Sequence, residues 1–123
     1  MHKLPPAQEV FDLVTTHLFT QNRRAEQYDG ACSYRFDGLR CAVGVLIPDN
    51  VYCPAFEGKA VGTLIEEFFL FGLADWREHG PLLSKLQRIH DNCPTLSDET
   101  FDRIELERRL LACAEHFSLE YRR

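Results

Sequence analysis

A chain of 123 residues, 45% hydrophobic and 27% charged, has the length for one globular domain (residues 1–123) and a composition that excludes disorder. Its formal net charge of −5 argues against non-specific nucleic-acid binding, which draws its affinity from neutralised phosphates. The longest apolar run, residues 68–74, is too short to cross a bilayer, and residues 1–6 lack the apolar centre of a signal peptide, so a cytoplasmic location is expected.

In chain order, Pro5 and Pro6 suit a helix start, and Ala7 to Gln21 reads as the first helix. Val10, Val14 and Leu18 recur every four residues, widened by Phe11 and Leu13. Residues 22–30 are polar and read as a loop. Residues 33–36 favour an extended chain, and Asp37-Gly38 is a strong turn signal. Residues 39–47 fit either the returning strand of a hairpin or a short buried helix stopped by Pro48, because periodicity cannot separate the two in so short an apolar run.

The second long helix places Val61, Leu64, Ile65, Phe68 and Phe71 on one face, with Glu66 and Glu67 opposite. Residues 72–80 form a break containing Trp76. Pro81 stands where a first helical residue belongs, Leu82, Leu83, Leu86 and Ile89 make the next stripe, and Cys93-Pro94 ends it. Ser97 suits an N-cap, which predicts a last helix from residue 98 to about 121 with Leu106, Leu110, Cys113, Phe117 and Tyr121 on one side. Arg103, Arg108, Arg109, Arg122 and Arg123 alternate with acids there, as on a solvated helix face. The expected fold is mainly α, with room for a small α+β element: about four longer helices and one short hairpin or irregular piece around residues 32–47.

The stretch from Cys32 through Asp49, with Ser33-Tyr34-Arg35-Phe36-Asp37-Gly38-Leu39 and Cys41-Ala42-Val43-Gly44-Val45-Leu46-Ile47-Pro48 inside it, resembles a signature of small uncharacterised proteins of tailed bacteriophages and prophage-carrying bacteria. His17-Leu18-Phe19-Thr20-Gln21-Asn22, Glu57-Gly58 and Leu86-Gln87-Arg88-Ile89-His90-Asp91 agree with it. One departure is a turn a residue shorter than the Gly-Pro-containing form. The resemblance implies a phage or prophage setting and brings no catalytic residues.

Several residues could carry chemistry. His90 and Cys93 fall on the apolar side of their helix, and a Cys41–His90–Asp91 grouping would supply nucleophile, base and orienting acid. The structural counterpart is a core-edge histidine and a cysteine acting as a small buried hydrophobe. His90 with Cys93 and Cys113 with His116 offer two ligand pairs for zinc, but neither follows a finger spacing and Pro94 breaks the first, so no metal and no cofactor are expected. Tyr34, Arg35, Asp37 and Glu57 could form a polar recognition surface, or Arg35 could pair with Asp37 or Glu57 merely to hold the turn. Residues 68–73 (Phe68, Phe69, Leu70, Phe71, Leu73) are apolar nearly all round, which predicts deep burial or a homo-oligomer interface. No phosphate loop, H-E-x-x-H or G-x-S-x-G is present. Five cysteines without a C-x-x-C pair suit reduced thiols.

The expectation is an accessory protein that binds a host protein and performs no catalysis, with no nucleic-acid or membrane partner. The alternative is a small cysteine/histidine enzyme or ligand binder using Cys41 and His90.

Overall fold

Pro6 precedes the first helix, α1 (Ala7–Gln21), and its carbonyl accepts from the Val10 amide at 3.1 Å, the first turn of the ladder. The computed structural model describes residues 1–122; Arg123, last of the basic C-terminal residues, lies outside them. Val10, Phe11, Val14 and Leu18 are fully buried along one stripe of α1, while Leu13 is left exposed. The helix stops where Asn22 turns left-handed (φ 58°) and its amide bonds back to the Leu18 carbonyl.

Before α1, β1 (His2–Lys3) lies parallel to a two-residue strand at Ala74–Asp75. Between α1 and the second helix, β2 (Arg35–Phe36) and β3 (Leu39–Arg40) form an antiparallel hairpin. Its turn residues Asp37 and Gly38 both take positive φ (50° and 79°), the primed geometry whose twist matches the flanking strands. One 3-10 turn follows at Gly44–Leu46, and Ile47 is already extended before Pro48. Residues 39–47 therefore divide between both alternatives: two residues of returning strand, then a single tight turn.

Helix α2 is Val61–Leu70, β4 is Ala74–Asp75, and α3 is Gly80–Asn92 with Pro81 in its first turn. Trp76, between β4 and α3, is wholly buried; its ring stands edge-on to Phe68 at 5.2 Å and its indole N–H donates to His2 Nδ1 at 3.0 Å. Trp76 is thus a core residue, with the one polar atom of its ring matched.

The last helix, α4, is shorter than the periodicity predicts: Arg103–His116, not 98–121. Asp98 instead closes a local turn, accepting from the Thr100 hydroxyl and amide, and Glu99 is left-handed. The true cap is Asp102, whose carboxylate accepts from the Glu105 amide, with Phe101 just before it fully buried. At the other end Ser118 turns left-handed and the chain leaves the helix.

Helix α3 packs against α1, α2 and α4. The fold is mainly helical with two small two-stranded ladders, and no helix among the described residues is long and apolar enough to cross a membrane.

Candidate functional site

The last two turns of α3 carry Gln87, His90 and Asp91, and burial of the first two dictates what each must do. A buried polar side chain needs partners. The Gln87 carbonyl oxygen accepts from the Val43 amide at 3.1 Å, and its amide donates to Asp91 Oδ1 at 2.9 Å. His90, fully buried, has both ring nitrogens engaged. Nε2 accepts from the Ala25 amide at 3.0 Å, so the proton resides on Nδ1 and is donated to Asp91 Oδ1 at 2.7 Å. His90 and Asp91 are sequence neighbours, yet their side chains do meet. The imidazole is a strut between the 22–33 loop and α3.

The thiol that joins this pair is Cys32. It is half-buried with its thiol beside the Asp91 carboxylate; burial, the neighbouring Asp91 carboxylate and Glu26 together push its pKa up to about 12. Cys32, His90 and Asp91 each place one donor atom within 4.8 Å of the others. Cys32 carries no local signal of this role, because its partners lie on a helix distant in sequence. The Gln87–Asp91 spacing of four, one helical turn, was the legible hint.

Cys41 takes another position. It is fully buried, its sulfur accepts from the Gly44 amide at 3.2 Å, and burial pushes its pKa up to about 12 against the pull of the Gly44 and Val43 amides. It meets the network through Gln87, beneath the surface. Of the predicted Cys41–His90–Asp91 grouping, the structure joins the last two and seats Cys41 as core.

A cavity of about 540 Å³ opens beside this network, lined among others by Cys32, Lys59, Ser84, Gln87, Arg88 and Asp91. Cys32, Gln87 and Asp91 of the network face it, with His90 buried behind them. Lys59 is paired with Glu67 at 2.5 Å.

Tyr34, Arg35, Asp37 and Glu57 separate into two roles. Glu57 is a clamp: Oε1 accepts from the Tyr34 amide at 2.8 Å, and Oε2 from the Arg35 amide at 3.1 Å and the Tyr52 hydroxyl at 2.6 Å. Arg35 pairs with neither Asp37 nor Glu57. It binds Asp49 at 2.9 Å and the Ile47 carbonyl at 2.6 Å, and it stacks over Tyr52. The turn points Asp37 to solvent, while the chain after the 3-10 turn swings Asp49 back to the guanidinium. Tyr34 is buried, with its hydroxyl on the Lys59 carbonyl.

The two zinc pairs are not brought together. Among the described residues the one group of three or more converging metal-ligand side chains is Cys32, His90 and Asp91. Cys93 points at the carbonyls of Pro94 and Asp102, Cys113 is buried with its pKa pushed up to about 11, and His116 is exposed.

In the 68–73 segment, Phe68 is core and Phe69 is roofed by the Arg77 guanidinium, 3.4 Å from its ring centroid. Leu70 and Phe71 are exposed. Compared with protein-family models, with curated proteins and with solved structures, the chain gives no match in any of the three.

Proposed function

We propose that this protein works by contact rather than catalysis, as an accessory factor that binds a host protein, in the setting implied by its resemblance to small proteins of tailed phages and prophages. The observation that carries this reading is the side-by-side exposure of Leu70 and Phe71, at 69% and 67%, where α2 ends. Val61, Leu64, Ile65 and Phe68 of α2 turn inward, and Phe69 is covered by Arg77. Adjacent large apolar groups left in water suit an interaction site, and here Glu66 and Arg77 supply a charged rim.

Chemistry at Cys41 and His90 has less to support it. A nucleophilic cysteine needs a lowered pKa and a free base. Cys41 is pushed up to about 12, and both nitrogens of His90 are bonded.

The test compares immobilised wild type with a Leu70→Ser, Phe71→Ser double variant in bacterial lysate, followed by binding of the purified candidate partner. We expect a partner that the wild type retains and that the variant, equally stable to heat, binds roughly tenfold or more weakly. Equal binding by both proteins would overturn the assignment of this face. Self-association of the wild type, abolished by the same substitutions, would overturn the host partner and put a second copy in its place.

A further inference from the structure

The Cys32, His90 and Asp91 side chains bring three donor types, S, N and O, to within 4.8 Å of one another, from two segments far apart in sequence. Such convergence, with Cys32 and Asp91 in the wall of an open cavity, does more than a buried strut requires. We propose that it is a binding site for a divalent cation of the zinc class, held by Cys32 Sγ, His90 Nδ1 and the Asp91 carboxylate, with water from the cavity as fourth ligand. This site lies apart from the Leu70–Phe71 face and does not depend on its role.

Mixed S, N and O donors select a borderline-soft ion that accepts a tetrahedron. Bonds of about 2.0–2.3 Å place tetrahedral ligands roughly 3.4–3.7 Å apart. His90 Nδ1 and Asp91 Oδ1 would open from 2.7 Å towards that spacing. The cavity wall includes Cys32 and Asp91, so a water can reach the fourth position. The carboxylates that disfavour a bare thiolate at Cys32, Asp91 and Glu26, are the charges that favour a dication there.

Proton accounting gives the site a second property. Forming the metal–sulfur bond breaks the Cys32 S–H bond and sends that proton to water. Coordination at His90 Nδ1 moves the ring proton to Nε2 by way of solvent, leaving the imidazole neutral. The Ala25 amide, which donates to Nε2 in the metal-free protein, then faces another N–H. The chain at Ala25 must shift, so metal occupancy is linked to the arrangement of the 22–33 loop.

The full chain, stripped with chelator under reducing conditions, is titrated with zinc by calorimetry and with cobalt(II) by absorption, and amide exchange at Ala25 is followed with and without zinc. We expect one equivalent of metal, a tetrahedral cobalt spectrum with a thiolate charge-transfer band, and faster exchange at Ala25 when loaded. Cys32→Ser, which keeps a hydrogen-bond donor for Asp91, should remove the band and weaken zinc binding at least about tenfold. Cys53→Ser, at an exposed thiol, should change nothing. Absence of stoichiometric binding, a thiolate band that survives Cys32→Ser, or a six-coordinate cobalt spectrum would each overturn the site. Unchanged exchange at Ala25 in the loaded protein would overturn coordination through Nδ1.

Discussion

Gly44 lies directly against the Tyr34 carbonyl, so close that a Cβ on Gly44 would stand 1.9 Å from its oxygen and 2.8 Å from its carbon. That oxygen also accepts from the Cys41 amide at 3.1 Å, so it cannot retreat without giving up a bond inside the core. Here glycine is required by approach, since Gly44 is not among the glycines with positive φ. Gly44→Ala is expected to cost about 3 kcal/mol in denaturant unfolding. A variant within about 0.5 kcal/mol of wild type would contradict this packing.

Glu57 holds the start of the hairpin through three bonds, two of them to backbone amides. Glu57→Ala leaves those amides without an acceptor and should cost about 2–3 kcal/mol. Glu57→Gln should recover only part of this, because its NH₂ group would face a donor. Thermal unfolding of the pair checks the order: wild type above Gln above Ala.

The thiols make a graded prediction. Cys53 is exposed, whereas burial and nearby carboxylate charge push Cys32 and Cys41 up to about 12, and burial pushes Cys113 up to about 11. Since the thiolate is the nucleophile, iodoacetamide at neutral pH should label Cys53 first, with Cys32 and the buried thiols far slower. Peptide mapping over time reads this directly. Fast labelling of Cys32 would contradict its placement beside Asp91.

His17 gives the molecule part of its acid sensitivity. Its Nε2–H donates to the Arg40 carbonyl at 2.8 Å, and burial, helped by the Arg40 charge and only partly offset by that carbonyl, holds its pKa below the ordinary value of about 6.5. With the folded value the lower one, the unfolded chain takes up the proton first. The contribution is therefore complete above about pH 6.5 and is lost as pH falls through the folded value. His17→Gln keeps an N–H donor but does not titrate, so its stability should fall less steeply than wild type as pH drops from about 7 to 5. Parallel curves for the two proteins would count against this role.

The long elements were legible because their signals are local. Helix α1 matches Ala7–Gln21 to the residue, since Pro5-Pro6 and the apolar stripe lie within the helix or against it. At α4 two capping signals compete, Ser97-Asp98-Glu99 and Asp102 with Glu105, and sequence cannot rank them. Burial of Phe101 decides, because only a start at Asp102 puts that ring inside. The candidate site was half legible. His90 stands out on the apolar side of α3 with Asp91 next to it in sequence, but the thiol facing them comes from a loop whose path depends on the Ala25–His90 bond. The partner of Arg35 was misjudged for a similar reason: Asp49 approaches only after a tight turn that no propensity locates. The β1–β4 pairing is two residues long, too short to leave any pattern.

The clamp around Glu57 bears on the order of folding. Bonds from Glu57 to Tyr34 and Arg35, from Tyr34 to Cys41 and Lys59, and from Arg35 to Asp49 all close within residues 34–59. Short loops are entropically inexpensive to close and form quickly. The bonds of the 22–33 loop, Ala25 to His90 and Phe101 to Asn22, must wait for the C-terminal third of the chain. During synthesis the central segment is thus placed to take shape while α3 and α4 are still unmade, and the loop bearing Cys32 is fastened last.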